Sequence, residues 1–244
     1  MSTLKSNVIE PATGTTLTLG ASGDLIDVPS DALQLNTWKD SGGNTLFTSD
    51  GSGTLSSVNS GLARGGGPNL ILSQTASSSA SISFTSGIDS TYDKYMFVWV
   101  NINPATNVQD FTFQVNAVGE TGYNEYMTTT TFRAYNQESS SSPGLVYAAA
   151  QDQGQGTSYQ AISHYLGNGA DQSASGILYL YAPSSTTYVK HFYSRASVMD
   201  GSGTTTLNDW YSAGYINTAL AIDDIQFKMG SGNFDGKIKM YGCR

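Results

Sequence analysis

The stretch Asp93–Ile102, DKYMFVWVNI, holds the longest apolar run of the chain. Tyr95, Phe97 and Trp99 share one parity and Met96, Val98 and Val100 the other. A strand alternates its side chains, so this one presents apolar groups to both sides of a sheet. Aromatic and β-branched residues favour the extended backbone. The run is far too short to cross a bilayer. It therefore predicts a central strand covered on both faces.

Working outward, ASISFTS puts Ala80, Ile82 and Phe84 on one face, and QDFTFQV sets Phe111, Phe113 and Val115 against Thr112 and Gln114. Phe84, Trp99, Phe111 and Phe113 are the expected core. Further strand-like pieces follow: MTTTTFRAY, GLVYAAA, QAISHYL, SGILYLYA, YVKHFYSRASVM, NDWYSAGYI, IDDIQFKM and GKIKMYG. No amphipathic helical period stands out. About ten to twelve strands joined by Gly, Asn and Ser turns predict an all-β fold, an antiparallel β-sandwich of jelly-roll type over residues 69–244.

Upstream the pattern changes. TTLTL, LIDV, LQLNTW and NTLFTS are brief alternating pieces separated by GASGD, PSDA, DSGG and DGSG. Turn signals at this spacing, with no long strand between them, fit a solenoid-like or prism-like β-stem. One copy buries too little to offset ordering its backbone, at about 1–2 kcal/mol per residue. Three intertwined copies would turn the sparse apolar residues into a continuous core. Residues 1–64 are thus read as a trimeric stem, with Ile9, Leu17, Leu19, Leu25, Val28, Leu33 and Trp38 as candidates for trimer core and anchoring. Residues 65–68, Gly-Gly-Gly-Pro, read as a hinge, because glycine permits any backbone path and proline stops a helix.

Composition narrows the function. Of 244 residues only 12% are charged, and the net charge is −8. Phosphate contacts need clustered Lys and Arg, which are absent, so nucleic acid is excluded as a partner, as is an anionic membrane surface. The single cysteine, Cys243, permits no internal disulfide and no cysteine-based zinc site. Met1–Glu10 has one lysine and no apolar run, which argues against an export signal.

No residue pattern demands catalysis or a cofactor. The two histidines, His164 and His191, sit at strand parity among apolar neighbours and read as structural, without an adjacent nucleophile. Glycoside hydrolysis needs two facing carboxylates, which the acidic residues do not reveal by spacing. Asp223-Asp224 and the turns at Asp50 and Asp200 offer too few ligands for calcium and read as tight turns. No catalytic, cofactor or metal residue is therefore assigned. The 15 tyrosines suit a recognition surface as well as a core. Trp210, Tyr211 and Tyr215 in NDWYSAGYI are the candidate glycan contacts, beside Tyr179 and Tyr181 in ILYLY.

PATGTTLTLGASGDLIDVPS, followed by NTWKDSGGNTLFTSDGSGTLSSVNSGL, resembles the N-terminal segment of tail-fibre-like virion structural proteins of marine tailed bacteriophages. SQTASSSASISFTSGIDSTYDKYMFVWVNINPATN, SSTTYVKHFYSR and TLNDWYSAGYIN resemble the globular domain that accompanies it. The resemblance covers most of the chain. It implies a non-enzymatic virion component, assembled in the host cytoplasm and exposed on the particle, and it carries no transferable site residues. The expectation is a short homotrimeric fibre that grips another virion protein through its N-terminal segment and binds a host-surface glycan through its sandwich. A capsid decoration or head-fibre protein is the alternative, and a polysaccharide-degrading tailspike a more distant one.

Overall fold

The structure is a computed structural model describing residues 37–49, 51–52, 55–58, 67–139, 142–203 and 205–243. The chain divides into two units, residues 1–65 and 66–244, each described here by itself. In the first unit, strands β1 (Thr37–Lys39), β2 (Thr45–Ser49) and β3 (Leu55–Val58) form an antiparallel sheet. The β1–β2 turn is set by Asp40, whose Oδ1 accepts from the backbone N–H of Gly42 and of Asn44 at 2.9 and 2.8 Å. Gly43 there has φ +82°, the left-handed region glycine enters without a Cβ penalty. Trp38 stacks on Phe47 at 5.8 Å, yet Trp38, Leu55 and Val58 remain 43%, 51% and 44% exposed. The other proposed stem residues, Ile9, Leu17, Leu19, Leu25, Val28 and Leu33, lie outside the described residues.

The second unit is all-β, a thirteen-stranded antiparallel sheet that curls nearly shut as a barrel. Its strands begin with β4 (Asn69–Ser79), β5 (Ile82–Phe84), β6 (Lys94–Pro104), β7 (Gln109–Ala117), β8 (Met127–Gln137) and β9 (Gly144–Tyr147). They continue with β10 (Gly154–Gly156), β11 (Gln160–Leu166), β12 (Ala174–Tyr181), β13 (Lys190–Asp200), β14 (Thr206–Ile216), β15 (Ile222–Met229) and β16 (Phe234–Cys243). A broad flank runs β4-β16-β6-β12-β13-β14-β8, with β9 and β10 both on β8. A narrow flank runs β5-β15-β7-β11 and joins the broad one where Leu166 pairs with Asp200.

The two flanks face each other across an aromatic core. Phe97 on β6 and Phe227 on β15 belong to strands that do not pair, yet their ring centroids are 5.6 Å apart. Phe84, Phe111 and Phe113 also surround Phe227, Trp99 packs edge-on against Phe111, and Phe113 meets Phe192. All of these rings are buried, the expected core residues Phe84, Trp99, Phe111 and Phe113 among them. Ala80, expected beside Ile82 and Phe84, is instead exposed in the turn between β4 and β5.

Two faces differ from expectation. β6 is central, between β16 and β12, but its buried residues are Tyr95, Phe97, Trp99, Ile102 and Pro104, and Val100 on the other parity is 41% exposed. Among the described residues the outer face of the broad flank is therefore half-buried to exposed. On β7 the reverse holds. Thr112 and Gln114 are buried, because Gln114 Nε2 donates to the carbonyls of Glu125, Thr157 and Ser158 and so ties loops over that face. A polar side chain can be buried when its hydrogen bonds are met inside the protein.

Candidate functional site

The outer face of the broad flank carries its side chains in register rows. One row runs Tyr147, Phe132, Tyr211, Arg195, Ile177, Val98 and Lys239 across successive strands. The next holds Thr130, Ala213, Tyr193, Tyr179, Met96, Tyr241 and Leu70. Period-two alternation on each strand brings these residues to one side, and the register sets aromatic beside aromatic.

In the first row Phe132 and Tyr211 stack nearly parallel, with centroids 4.7 Å apart and planes 7° from parallel. The Arg195 guanidinium lies 5.2 Å from the Tyr211 ring and forks onto Asp209, Nε to Oδ1 at 2.9 Å and Nη2 to Oδ2 at 2.8 Å. The Tyr211 hydroxyl donates to the same Oδ2 at 3.1 Å. The Arg195 hydrogen bond, ahead of all other influences, holds the Asp209 carboxyl below its ordinary range. The result is a flat, ordered platform with a charged rim.

In the second row Tyr193 sits between Tyr179 at 5.0 Å and Tyr181 at 6.0 Å. Burial, and next the contact of its hydroxyl with Tyr193, pushes the Tyr181 phenol up to about 12, so it stays a neutral donor at neutral pH. Beside this cluster is an open trough of about 460 Å³ lined by Thr128, Tyr181, His191, Tyr193 and Tyr215, with Ala213 and Gly214 at its base. Its rim is polar. Gln155 donates to Thr128 Oγ1 at 2.7 Å and to the Tyr215 hydroxyl at 3.5 Å, and accepts from Asn217 Nδ2 at 2.7 Å. Gln155 has φ +54°, a conformation a non-glycine residue holds at a cost of about 1–3 kcal/mol and one that gathers at ligand-contacting positions.

Of the three candidate contacts, Tyr211 and Tyr215 lie on this face and Trp210 does not. Trp210 is fully buried, with its indole N–H donating to Ser212 Oγ at 3.2 Å. Alternation alone required this, since adjacent strand residues face opposite ways. Tyr179 and Tyr181 are on the outer face, while Tyr193 and Phe132 join them through pairings between distant segments that no local pattern announces.

The two histidines sit apart. His164 Nδ1 is 2.5 Å from Asp110 Oδ1 and its Nε2 is 3.3 Å from Gln151 Nε2, so both ring nitrogens are engaged and neither contacts a hydroxyl or thiol. His191 faces Tyr215 edge-on at 6.3 Å in the trough. Among the described residues no three His, Cys, Asp or Glu side chains converge as a metal site, and no helix is long and apolar enough to cross a membrane. Asp200 is buried at the end of β13, accepting from Ser202 N and Asn208 Nδ2, and burial together with the Asp223 charge raises the Asp224 carboxyl.

No protein family, curated protein or solved structure matches the chain.

The outer face sets aromatic rings beside polar groups. Tyrosine rings match the apolar faces of pyranoses, and the phenols, amides and hydroxyls around the trough match their hydroxyls.

Proposed function

We propose that this protein is a non-enzymatic structural protein of a tailed-bacteriophage particle, a short homotrimeric fibre whose displayed sandwich binds a host-surface glycan. In this reading residues 69–244 form the displayed jelly-roll-like domain. Residues 1–64 interlock as a β-stem and grip another virion protein. The observation that carries the binding function is the outer aromatic face, with Tyr179, Tyr181 and Tyr193 clustered beside the trough and Phe132, Tyr211 and Arg195 stacked next to it. The resemblance of both segments to tail-fibre-like proteins supports the location. Trimerisation is supported by Trp38, Leu55 and Val58, which a single chain leaves half exposed and which neighbouring copies would cover. Three weak sites on one stem would gain avidity without strong individual affinity.

Purified particles labelled with antibody against residues 69–244 test the location. Label at the tail is the expected result. Label spread over the capsid would favour a decoration or head-fibre protein, and unlabelled particles would remove the virion assignment. Light scattering on the full chain should give three copies, and a monomer would end the stem proposal.

A further inference from the structure

Away from the outer face, the second half of β8 passes the turn joining β13 to β14 and encloses a polar pocket of about 230 Å³. Arg133, Tyr135, Asp200, Ser202 and Thr206 are among its lining residues. We propose that this pocket binds one ring of a neutral sugar, holding adjacent hydroxyls between the Arg133 guanidinium and the Asp200 carboxylate.

The charged groups are held in place before any ligand arrives. Asp200 is 4% exposed and Asn208 fully buried. Asn208 bridges the pair: its Nδ2 donates to Asp200 Oδ2 at 3.0 Å, and its Oδ1 accepts from Arg133 Nη1 at 2.9 Å. The backbone N–H of Ser202 fixes the other Asp200 oxygen at 2.7 Å. The guanidinium is clamped between the rings of Tyr135 at 5.3 Å and Tyr165 at 5.4 Å. Tyr165 takes φ +60° to reach this place, strained for an aromatic residue.

The clamp leaves donors unspent. A guanidinium has five N–H groups in a fixed fork. Arg133 gives one to Asn208 and approaches Asp200 only to 3.7 Å, longer than a hydrogen bond. Its side chain is 21% exposed, so the remaining donors are neither sealed in nor fully solvated. Each Asp200 oxygen accepts one hydrogen bond and a carboxylate oxygen has room for a second.

The charge balance selects the ligand. Arg133 and Asp200 cancel, so a free anion would face a buried carboxylate and a free cation a clamped guanidinium. A hydroxyl suits both, donating to one and accepting from the other. The volume lies below the roughly 300–1,000 Å³ of drug-sized sites, which limits the occupant to a single ring.

This inference does not rest on the outer aromatic face, and the test separates the two. The full chain is titrated with methyl glycosides of glucose, galactose and mannose, and with glucuronate and glucosamine, observed by ligand-detected NMR. At least one neutral glycoside should bind with millimolar affinity. Arg133→Gln should weaken it tenfold or more, and Tyr135→Ala, which unclamps the guanidinium and leaves the Asp200–Asn208 bond in place, should weaken it several-fold. Val118→Ala, at a position 49% exposed that belongs to neither site, should leave it unchanged. Thermal melts confirm that each variant is folded. Absence of binding by all three neutral glycosides, preference for glucuronate or glucosamine, or neutral-sugar binding untouched by both pocket variants would overturn the proposal.

Discussion

Phe227→Ala should be among the most damaging substitutions in the protein. Phe227 is fully buried on β15, and its ring lies within 6.4 Å, centroid to centroid, of Phe84, Phe97, Phe111 and Phe113. It therefore ties the narrow flank to the broad one. Removing a buried phenyl costs about 3–5 kcal/mol through lost transfer energy and the cavity left behind. Aromatic pairs contribute about 0.5–1.5 kcal/mol beyond area burial, so the loss belongs at the upper end. For a chain of this size each kcal/mol shifts Tm by about 2–4 °C, so a loss of about 5 kcal/mol gives a fall of roughly 10–20 °C. Urea titration can follow Trp99 and Trp210, both fully buried and both exposed on unfolding. Phe227→Leu keeps much of the volume and should cost about 1–2 kcal/mol. Leu207→Ala, at a position 53% exposed, should change stability by about 0.5 kcal/mol or less. If Phe227→Ala costs no more than Leu207→Ala, the flanks do not share a core around this ring.

Tyr95 gives a prediction in pH. Its hydroxyl accepts from Asp89 N at 2.8 Å and donates to Asp89 O at 3.0 Å, and burial is the main cause that pushes its phenol up to about 12. Between pH 10 and that value the unfolded chain has released this proton and the folded chain has not. Tyr95 therefore contributes stability that is intact below pH 10 and falls as pH rises, by about 1.4 kcal/mol per unit at most. Tyr95→Phe should flatten the alkaline slope of urea midpoints relative to the parent, and an unchanged slope would refute this. Gly176→Ala tests the tightest point in β12, because a Cβ there would lie 2.5 Å from the Arg195 carbonyl oxygen and 2.6 Å from the Trp99 ring. The expected cost is about 1–3 kcal/mol with an altered near-ultraviolet signal from Trp99, and full stability would mean the strands are less closely spaced.

Much of the core was readable because alternation is local. Phe111, Phe113 and Trp99 declare their facing by parity, and the same rule separates Trp210 from Tyr211. Coverage was not readable, because it depends on what distant segments do. Gln114 is buried by loops reached through its own amide, while on the other side of β6 Met96 and Val98 are only half-buried and Val100 is exposed, although all three are apolar. Lys190 is the extreme case: it is fully buried, its Nζ bonded to the carbonyls of Thr218 and Leu220, and burial lowers its pKa. Nothing in HFYSR or its neighbours signals that lysine's fate. The outer site was half legible for the same reason. Tyr211 and Tyr215 follow from strand periodicity, while Tyr193 meets Tyr179 and Phe132 meets Tyr211 only through strand register. The Arg133 pocket has no local signature at all, since β8, the end of β13, the turn after it and the start of β14 line it, and β11 adds only the Tyr165 ring beside Arg133.

The central claim is that the outer face of the broad flank recognises carbohydrate. Its most direct test is binding of immobilised host-surface polysaccharide by the full chain and by a Tyr181→Ala/Tyr193→Ala/Tyr215→Ala variant, with matched thermal melts. Tyr193 is 44% exposed, and none of the three substituted tyrosines belongs to the fully buried core, so the variant should remain folded. The account predicts that the parent binds and that the variant loses at least tenfold in apparent affinity. Equal binding by parent and folded variant would contradict it.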